Sequence, residues 1–236
     1  MLIVDVFEIV GTIAFAISGA LVGIQKKLDL FGVALLGITT AVGGGIFRDL
    51  ILGNTPPIAF TSPTSSIISL ISSLLIFFFY PLSVRKIARG QKNKKVRKED
   101  GLKYLTQEQK SKIIAKQMQL NNLKQLIFIC DAIGLATFTA GGAHQAYYSN
   151  PNNVFLIVFM GLITGVGGGI VRDVLVQQTP LILRREIYAV ASILGGVAFY
   201  LCIKFFNYNV AFAICFLITF TMRVISIKYN LNLPRY

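Results

Sequence analysis

The sequence predicts an all-α polytopic membrane protein with seven transmembrane helices: two inverted three-helix repeats plus a seventh helix. Three observations predict it. The 236-residue chain is 54% hydrophobic and only 14% charged, with a mean hydropathy of +0.67, whereas a soluble domain carries about 25% charged residues. Seven apolar segments approach the roughly 20 residues that cross about 30 Å of hydrocarbon. The chain also nearly duplicates itself. Residues 37–56, GITTAVGGGIFRDLILGNTP, align with 161–180, GLITGVGGGIVRDVLVQQTP, at an offset of 124, with eleven of twenty positions identical.

The first span is predicted at 3–24. Its start, MLIVDVFEIVG, lacks the basic region of a cleaved signal, so it reads as a retained span. QKKLD at 25–29 separates it from a second span at 30–52, and GNTPPIAFTSP at 53–63 precedes a third at 64–84. A basic loop follows at 85–124, with thirteen Lys and Arg against Glu99, Asp100 and Glu108; it holds most of the net charge of +13. Within it, 106–124 predicts an amphipathic helix with Ile113, Ile114, Met118 and Leu120 partly on one face, and Thr106 with Gln109 fits a weak capping box. The remaining spans are 126–147, 153–177, 187–206 and 208–227, divided by YSNPNN, TPLILRRE and NYN. The domain reading is therefore 1–84 for the first repeat, 85–124 for the loop, 125–206 for the second repeat, and 207–236 for the seventh helix and tail.

Orientation follows from the cations. With seven spans, Lys26, Lys27, the loop, Arg184, Arg185, Arg223, Lys228 and Arg235 all fall on one side or at its edge, and only Lys204 falls toward the other. The expectation is a bacterial plasma (inner) membrane protein with its N-terminus outside and its C-terminus cytoplasmic. The repeat extends upstream: GTIAFAISGA at 11–20 matches GLATFTAGGA at 134–143 at an offset of 123, which sets Glu8 opposite Asp131. Each repeat has three spans, so the second enters the membrane from the opposite side. This is a common plan of transport proteins, whose site lies where the repeats meet.

The duplicated GGG-x-x-RD is the candidate site. Three consecutive glycines make a helix easy to bend or unwind, and irregular backbone within a membrane survives only when buried in protein or lining a cavity. Gly43, Gly44, Gly45, Gly167, Gly168 and Gly169 therefore predict paired kinks or breaks in the second and fifth helices; close helix packing is the alternative. Arg48 and Arg172 are expected to line or gate a path, because intramembrane charges usually face a bundle interior or a water-filled cavity. Asp49 and Asp173 need not pair with their neighbours. Across the repeats, Arg48 could approach Asp173 or Glu8, and Arg172 could approach Asp49 or Asp131; buried ion pairs locking the repeats are the alternative. Thr40 and Thr164 could line the path or bond back to a helix carbonyl. Ser18, Gly19, Gly141 and Gly142 read as close packing, and Pro56 and Pro180 as helix ends.

Other chemistry is absent from the pattern. Cys130, Cys202 and Cys215 have no metal-ligand spacing and read as small buried side chains. His144 is the lone histidine, so no metal site is expected, and no cofactor. No Ser-His-Asp set, HExxH or P-loop appears, which argues against an enzyme. The loop could bind anionic lipid head groups. With one aromatic, Tyr104, and no recognisable fold, it does not read as a nucleic-acid binder.

Two GGG-x-x-RD spans in such a plan resemble the trimeric intracellular cation channel (TRIC) family, whose bacterial members are also labelled glycine transporters. The matching stretches are GTIAFAISGAL, KKLDLFG, TAVGGGIFRDLILGNTPP, DAIGLATF, TGVGGGIVRDVL and LRREIYA. They cover nearly the whole chain except the basic loop, which is longer than the family pattern. Glu8 departs from it, standing where Asp is more usual, and keeps the charge. The resemblance implies a homotrimer with a pore in each subunit between the repeats, narrowed at the glycine-rich helices and permeable to monovalent cations, chiefly K⁺. Two further readings stay open: a secondary carrier for a small solute such as glycine, its carboxylate held by a helix N-terminus or Arg, and a lipid-sensing scaffold acting through the loop.

Overall fold

The computed structural model describes residues 2–80, 107–184 and 187–229. The described elements are helices: α1 (Leu2–Gln25), α2 (Leu30–Ile51), α3 (Ile58–Thr61), α4 (Thr64–Phe79), α5 (Gln107–Ser149), α6 (Val154–Leu175), α7 (Leu181–Arg184), α8 (Ile187–Ile203) and α9 (Tyr208–Tyr229). Five are long and apolar enough to cross a membrane: α1, α2, α5 over Leu123–Ser149, α6 and α9. Twenty-two residues rise about 33 Å. The third and sixth apolar segments are helical over only 16 and 17 residues, shorter than the sequence predicts. Most of the basic loop, and with it the lipid-binding expectation and the capping box at Thr106, lies outside the described residues. The helix expected within the loop is not separate: α5 runs unbroken for 43 residues, since nothing between 107 and 149 breaks helical hydrogen bonding.

Burial is inverted relative to a soluble protein. Phe31, Phe79 and Phe155 are exposed, while Arg48, Asp49, Asp131, Arg172, Asp173 and Arg223 are buried. That distribution is stable only where the surroundings are apolar and the charges find each other inside.

Helix ends are set by local chemistry, and the two halves use the same devices. Asp29 caps α2, accepting from Gly32 N at 2.7 Å; Asn153, 124 residues later, caps α6, accepting from Leu156 N at 3.0 Å. At the other ends Gly53 (φ 78°) and Gln177 (φ 53°) both turn left-handed. Their successors then donate back into the helix, Asn54 N to Asp49 O and Gln178 N to Asp173 O, both at 2.8 Å. This left-handed turn satisfies carbonyls that the helix leaves open. It ends α2 and α6 five residues before Pro56 and Pro180, so the prolines are not the terminators the sequence suggests. Instead Pro57 and Pro180 introduce the short helices α3 and α7. The break predicted at NYN is present: Asn207 caps α9, accepting from Val210 N at 3.2 Å.

Helices α1, α2 and α4 pack as one bundle, and α5, α6 and α8 as another. The bundles meet through α1 with α5 and α2 with α6, while α9 lies against α8 and α5. Ala140, Ala143 and Ala146 are fully buried along α5, where small side chains let the neighbouring helices approach closely.

The glycine triplets lie at the contact between α2 and α6. Helical structure continues through both, so neither helix is broken there, and the backbones pack closely. A Cβ on Gly44 would collide with the carbonyl oxygen of Thr164, and one on Gly168 with the carbonyl oxygen of Thr40. The contact is reciprocal and is made by backbone alone. Thr40 and Thr164 each use the hydroxyl on their own helix, accepted by Leu36 O at 2.5 Å and Met160 O at 2.6 Å. The bond to a helix carbonyl, one of their two expected roles, is present. Gly45 is different: a Cβ there would meet only Arg48 Nη2, at 3.8 Å.

Gly168→Ala is therefore expected to lower stability by about 1–3 kcal/mol through overpacking against backbone that cannot yield. Gly45→Ala is expected to be neutral or slightly stabilising, because alanine is the better helix former. Thermal unfolding of the two purified variants in detergent checks the contrast.

Candidate functional site

Arg48 and Asp49 close the last turn of α2. Arg48 Nε donates to Asp49 Oδ1 at 2.8 Å, and its Nη2 lies 2.7 Å from the same oxygen. The other carboxylate oxygen accepts from Ile58 N, the first residue of α3, at 2.9 Å. The second half repeats this: Arg172 Nε donates to Asp173 Oδ1 at 2.9 Å, and Asp173 Oδ2 accepts from Leu181 N, the first residue of α7, at 2.9 Å. The receiving register differs by one because position 57 is a proline, which has no N–H to offer. Each arginine places positive charge at a helix C-terminus, where the dipole is negative. Each aspartate ties that end to the short helix beyond it.

Arg–Asp neighbours thus pair with each other, correcting the expectation that Arg48 reaches across to Asp173 or Glu8 and that Arg172 reaches Asp49. Adjacent residues diverge on a helix, but the long arginine side chain folds back to its neighbour's carboxylate. One expected partner is present, though within the second repeat rather than across the two: Arg172 Nη1 donates to Asp131 Oδ1 at 2.9 Å. The same nitrogen donates to Ser18 Oγ of α1 at 2.8 Å. Ser18 is thus more than a packing residue.

The two halves differ in what surrounds the arginine. Arg172 is 1% exposed and Asp131 is 0% exposed. Arg223 Nη2 stands 4.0 Å from Asp131 Oδ2, and its guanidinium carbon lies 4.5 Å above the Tyr188 ring. Arg223 is fully buried, rather than the membrane-edge cation that the sequence suggests. Arg48, by contrast, lines a cavity of about 500 Å³ with Asp5, Glu8, Thr12, Asp49 and Phe138 in its wall. Glu8, the counterpart of Asp131, is exposed and makes no ion pair with Arg48 within 4 Å. A second cavity of about 800 Å³ adjoins it, sharing His144, Gln145 and Tyr208. His144 stacks on Tyr208 with ring centroids 5.0 Å apart and meets Tyr148 edge-on at 4.8 Å.

Between the open and the sealed ends stands an aromatic pair. Phe15 and Phe138 stack with centroids 5.2 Å apart and planes 28° apart. Phe15 is buried over Gly134 and Gly168; a Cβ on Gly134 would enter its ring. On α1 the residues Asp5, Glu8, Thr12, Phe15 and Ser18 recur every three or four positions and so share one face. On α5, Asp131, Phe138 and Gln145 recur every seven, about two turns apart and also on one face. The two stripes run antiparallel: acidic mouth, hydroxyl, phenyl pair, then the Arg172 cluster.

Sequence reasoning singled out neither Phe15 nor Phe138, although both lie in the upstream repeat block, GTIAFAISGA against GLATFTAGGA, at matching places. Tyr188 and Arg223 carried no comparable signal. Tyr188 is one of nine tyrosines, and Arg223 lies in α9, outside the duplicated stretches of sequence.

Comparison with known proteins gives a consistent picture. The family model described as Glycine transporter matches twice, over residues 5–81 and 128–204. The UPF0126 inner membrane protein YadS of Escherichia coli (strain K12) is 33% identical over 97% of this chain and 94% of its own. A prokaryotic TRIC channel crystallised in 0.5 M KCl is 35% identical, covering 98% of this chain and 99% of its own, with a TM-score of 0.77. The TRIC trimeric intracellular cation channel orthologue from Rhodobacter sphaeroides is 29% identical over 98% of this chain and 100% of its own, with a TM-score of 0.75.

The unequal surroundings make the two arginines separable. Arg172→Gln strands Asp131 and Asp173 in the interior and is expected to cost about 3–5 kcal/mol, as when a buried pair loses one partner. Arg48→Gln leaves Asp49 beside the cavity and is expected to cost distinctly less. Thermal unfolding of the two variants in one detergent checks the order.

Proposed function

The chain belongs to the glycine transporter family and is TRIC-like within it, and on that premise we propose that it is a cation channel of a bacterial membrane with a conduction path inside each subunit. The observation that carries the reading is the shared stripe of α1 and α5, acidic at its open end and shut by Phe15 and Phe138. Cation-channel relatives of full length support the permeant class. K⁺ is the chief permeant in this reading, and the homotrimer follows the trimeric relative from Rhodobacter sphaeroides. Seven spans in two inverted three-helix repeats are supported by the double family match and the duplicated caps, turns and Arg–Asp ties. With the N-terminus outside, the cavity mouth faces outward, and Lys26, Lys27 and Lys228 lie toward the cytoplasm.

In the closed channel, Asp5 and Glu8 draw a cation into the outer cavity. The arginines do not repel it, because each guanidinium is already held by a carboxylate on its own helix. Below Thr12 the phenyl pair blocks water, and a dry apolar constriction stops ions without any charge barrier. Opening requires α1 and α5 to part at Phe15 and Phe138. The glycine contacts at Gly44 and Gly168 let α2 and α6 pivot as that happens, with Gly43, Gly45, Gly167 and Gly169 keeping side chains out of the way.

A carrier reading has one observation in its favour: Arg48 faces the same cavity as Asp5 and Glu8, an arrangement that suits a small zwitterion.

The test uses purified protein in liposomes, following K⁺ flux and radiolabelled glycine uptake in one preparation. The channel reading expects K⁺ flux, raised severalfold by Phe15→Ala as the apolar barrier is lost and lowered severalfold by Glu8→Gln as local cation enrichment falls. It expects no glycine counterflow. Saturable glycine exchange without ion flux would turn the cavity into a carrier's substrate site and contradict the channel.

A further inference from the structure

Among the described residues helix α9 has no counterpart in the first half, and it brings one arginine into the sealed end. The protein therefore contains its own comparison. Both halves carry the same Arg–Asp turn with an acidic residue on the neighbouring long helix: Asp131 of α5 in one, Glu8 of α1 in the other. Where α9 supplies Arg223, the acid is buried and bound to the repeat arginine, and the end is closed. In the first half, where the described residues include no such helix, the acid stands apart from Arg48 and the end opens into the cavity of about 500 Å³.

We propose that Arg223, held over Tyr188, is a positioning residue that keeps the far end of the path shut. This rests on the path running along α1 and α5. Asp131 presents two oxygens to the interior. Arg172 takes Oδ1, and Arg223 stands by Oδ2. A buried carboxylate with one oxygen uncompensated draws in water or turns toward it. Either movement loosens Arg172, and with it the hydrogen bond from Arg172 to Ser18 that ties α6 to α1. Arg223 thus acts through Asp131 and Arg172, without meeting the permeant itself.

Tyr188 makes the placement specific. Its ring underlies the Arg223 guanidinium, and its hydroxyl lies 3.0 Å from where a Cβ on Gly169 would be. Gly169 therefore leaves room for the tyrosine. In the first half the equivalent glycine, Gly45, faces the cavity, and the second residue of α4 is Ser65, a small cavity-lining residue, where the second residue of α8 is Tyr188. Each part of the seal in one half has an open counterpart in the other.

The experiment uses the full chain in proteoliposomes, with Cys130, Cys202 and Cys215 changed to alanine and Val22→Cys, buried one turn beyond Ser18 on α1, as a reporter. A membrane-impermeant cationic thiol reagent is applied from the side bearing the α9 C-terminus, and K⁺ and Cl⁻ fluxes are followed in parallel. Arg223→Gln is expected to speed labelling of the reporter and raise K⁺ flux by about tenfold, the scale of one coupling partner, with K⁺ still preferred over Cl⁻. Arg223→Lys, which keeps the charge, is expected to return both close to the parent. Tyr188→Leu, which keeps every charge and removes the ring, is expected to move both in the Arg223→Gln direction by a smaller factor, and it serves if Arg223→Gln does not fold. Unchanged labelling in Arg223→Gln, or in Tyr188→Leu if only that variant folds, overturns the proposal. So does a leak that passes K⁺ and Cl⁻ alike, which marks general disruption. Faster labelling with no ion flux in any variant keeps the latch and instead removes the channel reading.

Discussion

Two backbones touch where α2 meets α6, and the rest of the structure is arranged around that contact. Thr164 O sits where a Cβ on Gly44 would be, and Thr40 O where one on Gly168 would be. No side chain intervenes, so the two halves approach more closely than any other residue pair would allow. That approach sets α1 beside α5, and so brings Phe15 onto Phe138. Residues flanking the contact serve the same end. Thr40 and Thr164 satisfy their hydroxyls on their own helices, and Gly19 and Gly142 leave room for those hydroxyls. The reciprocity explains why the triplet is duplicated: each half supplies the groove for the other's backbone.

Charge in the membrane is handled by local pairing first. Each arginine is neutralised by the aspartate next to it and complements the end of its helix. Each aspartate then spends its second oxygen on the short helix that follows. This makes the Arg–Asp turns structural at both ends, and it frees function to come from the differences between them. One half leaves Asp5 and Glu8 unpaired beside a cavity. The far end buries Asp131 between two arginines. In the proposed channel a duplicated fold thereby becomes a directional one, with attraction for cations at one end and closure at the other.

Much of this was legible in the sequence, and the rest was hidden for physical reasons. The seven apolar segments, the duplication and the Arg172–Asp131 link followed from composition, alignment and charge. The helix break did not follow. A glycine triplet reads the same whether a helix unwinds or a neighbouring backbone fills the space, and only the facing carbonyl decides. Asp49 and Asp173 read as charges, while their ties to Ile58 N and Leu181 N depend on left-handed turns at Gly53 and Gln177, the second of which no glycine announces. Phe15 and Phe138 were visible in the repeat but indistinguishable from core. Arg223 resembled a membrane-edge cation, because nothing in its own helix records the aspartate and tyrosine that surround it.

The central claim is that one face of α1 is the wall of the path and that this wall is interrupted at Phe15. A cysteine scan along α1 tests it most directly, with a water-borne thiol reagent applied from the mouth end to protein in proteoliposomes. Reaction is predicted at Glu8→Cys and Thr12→Cys, and not at Ser18→Cys. Positions of the outward face, such as Val6 and Val10, which are exposed to the apolar surroundings, should stay unreactive because the thiolate does not form there. Adding Phe138→Ala should extend reaction to Ser18→Cys. Equal reaction at Val6 and Glu8, or reaction at Ser18→Cys with both phenyl rings in place, would contradict the account.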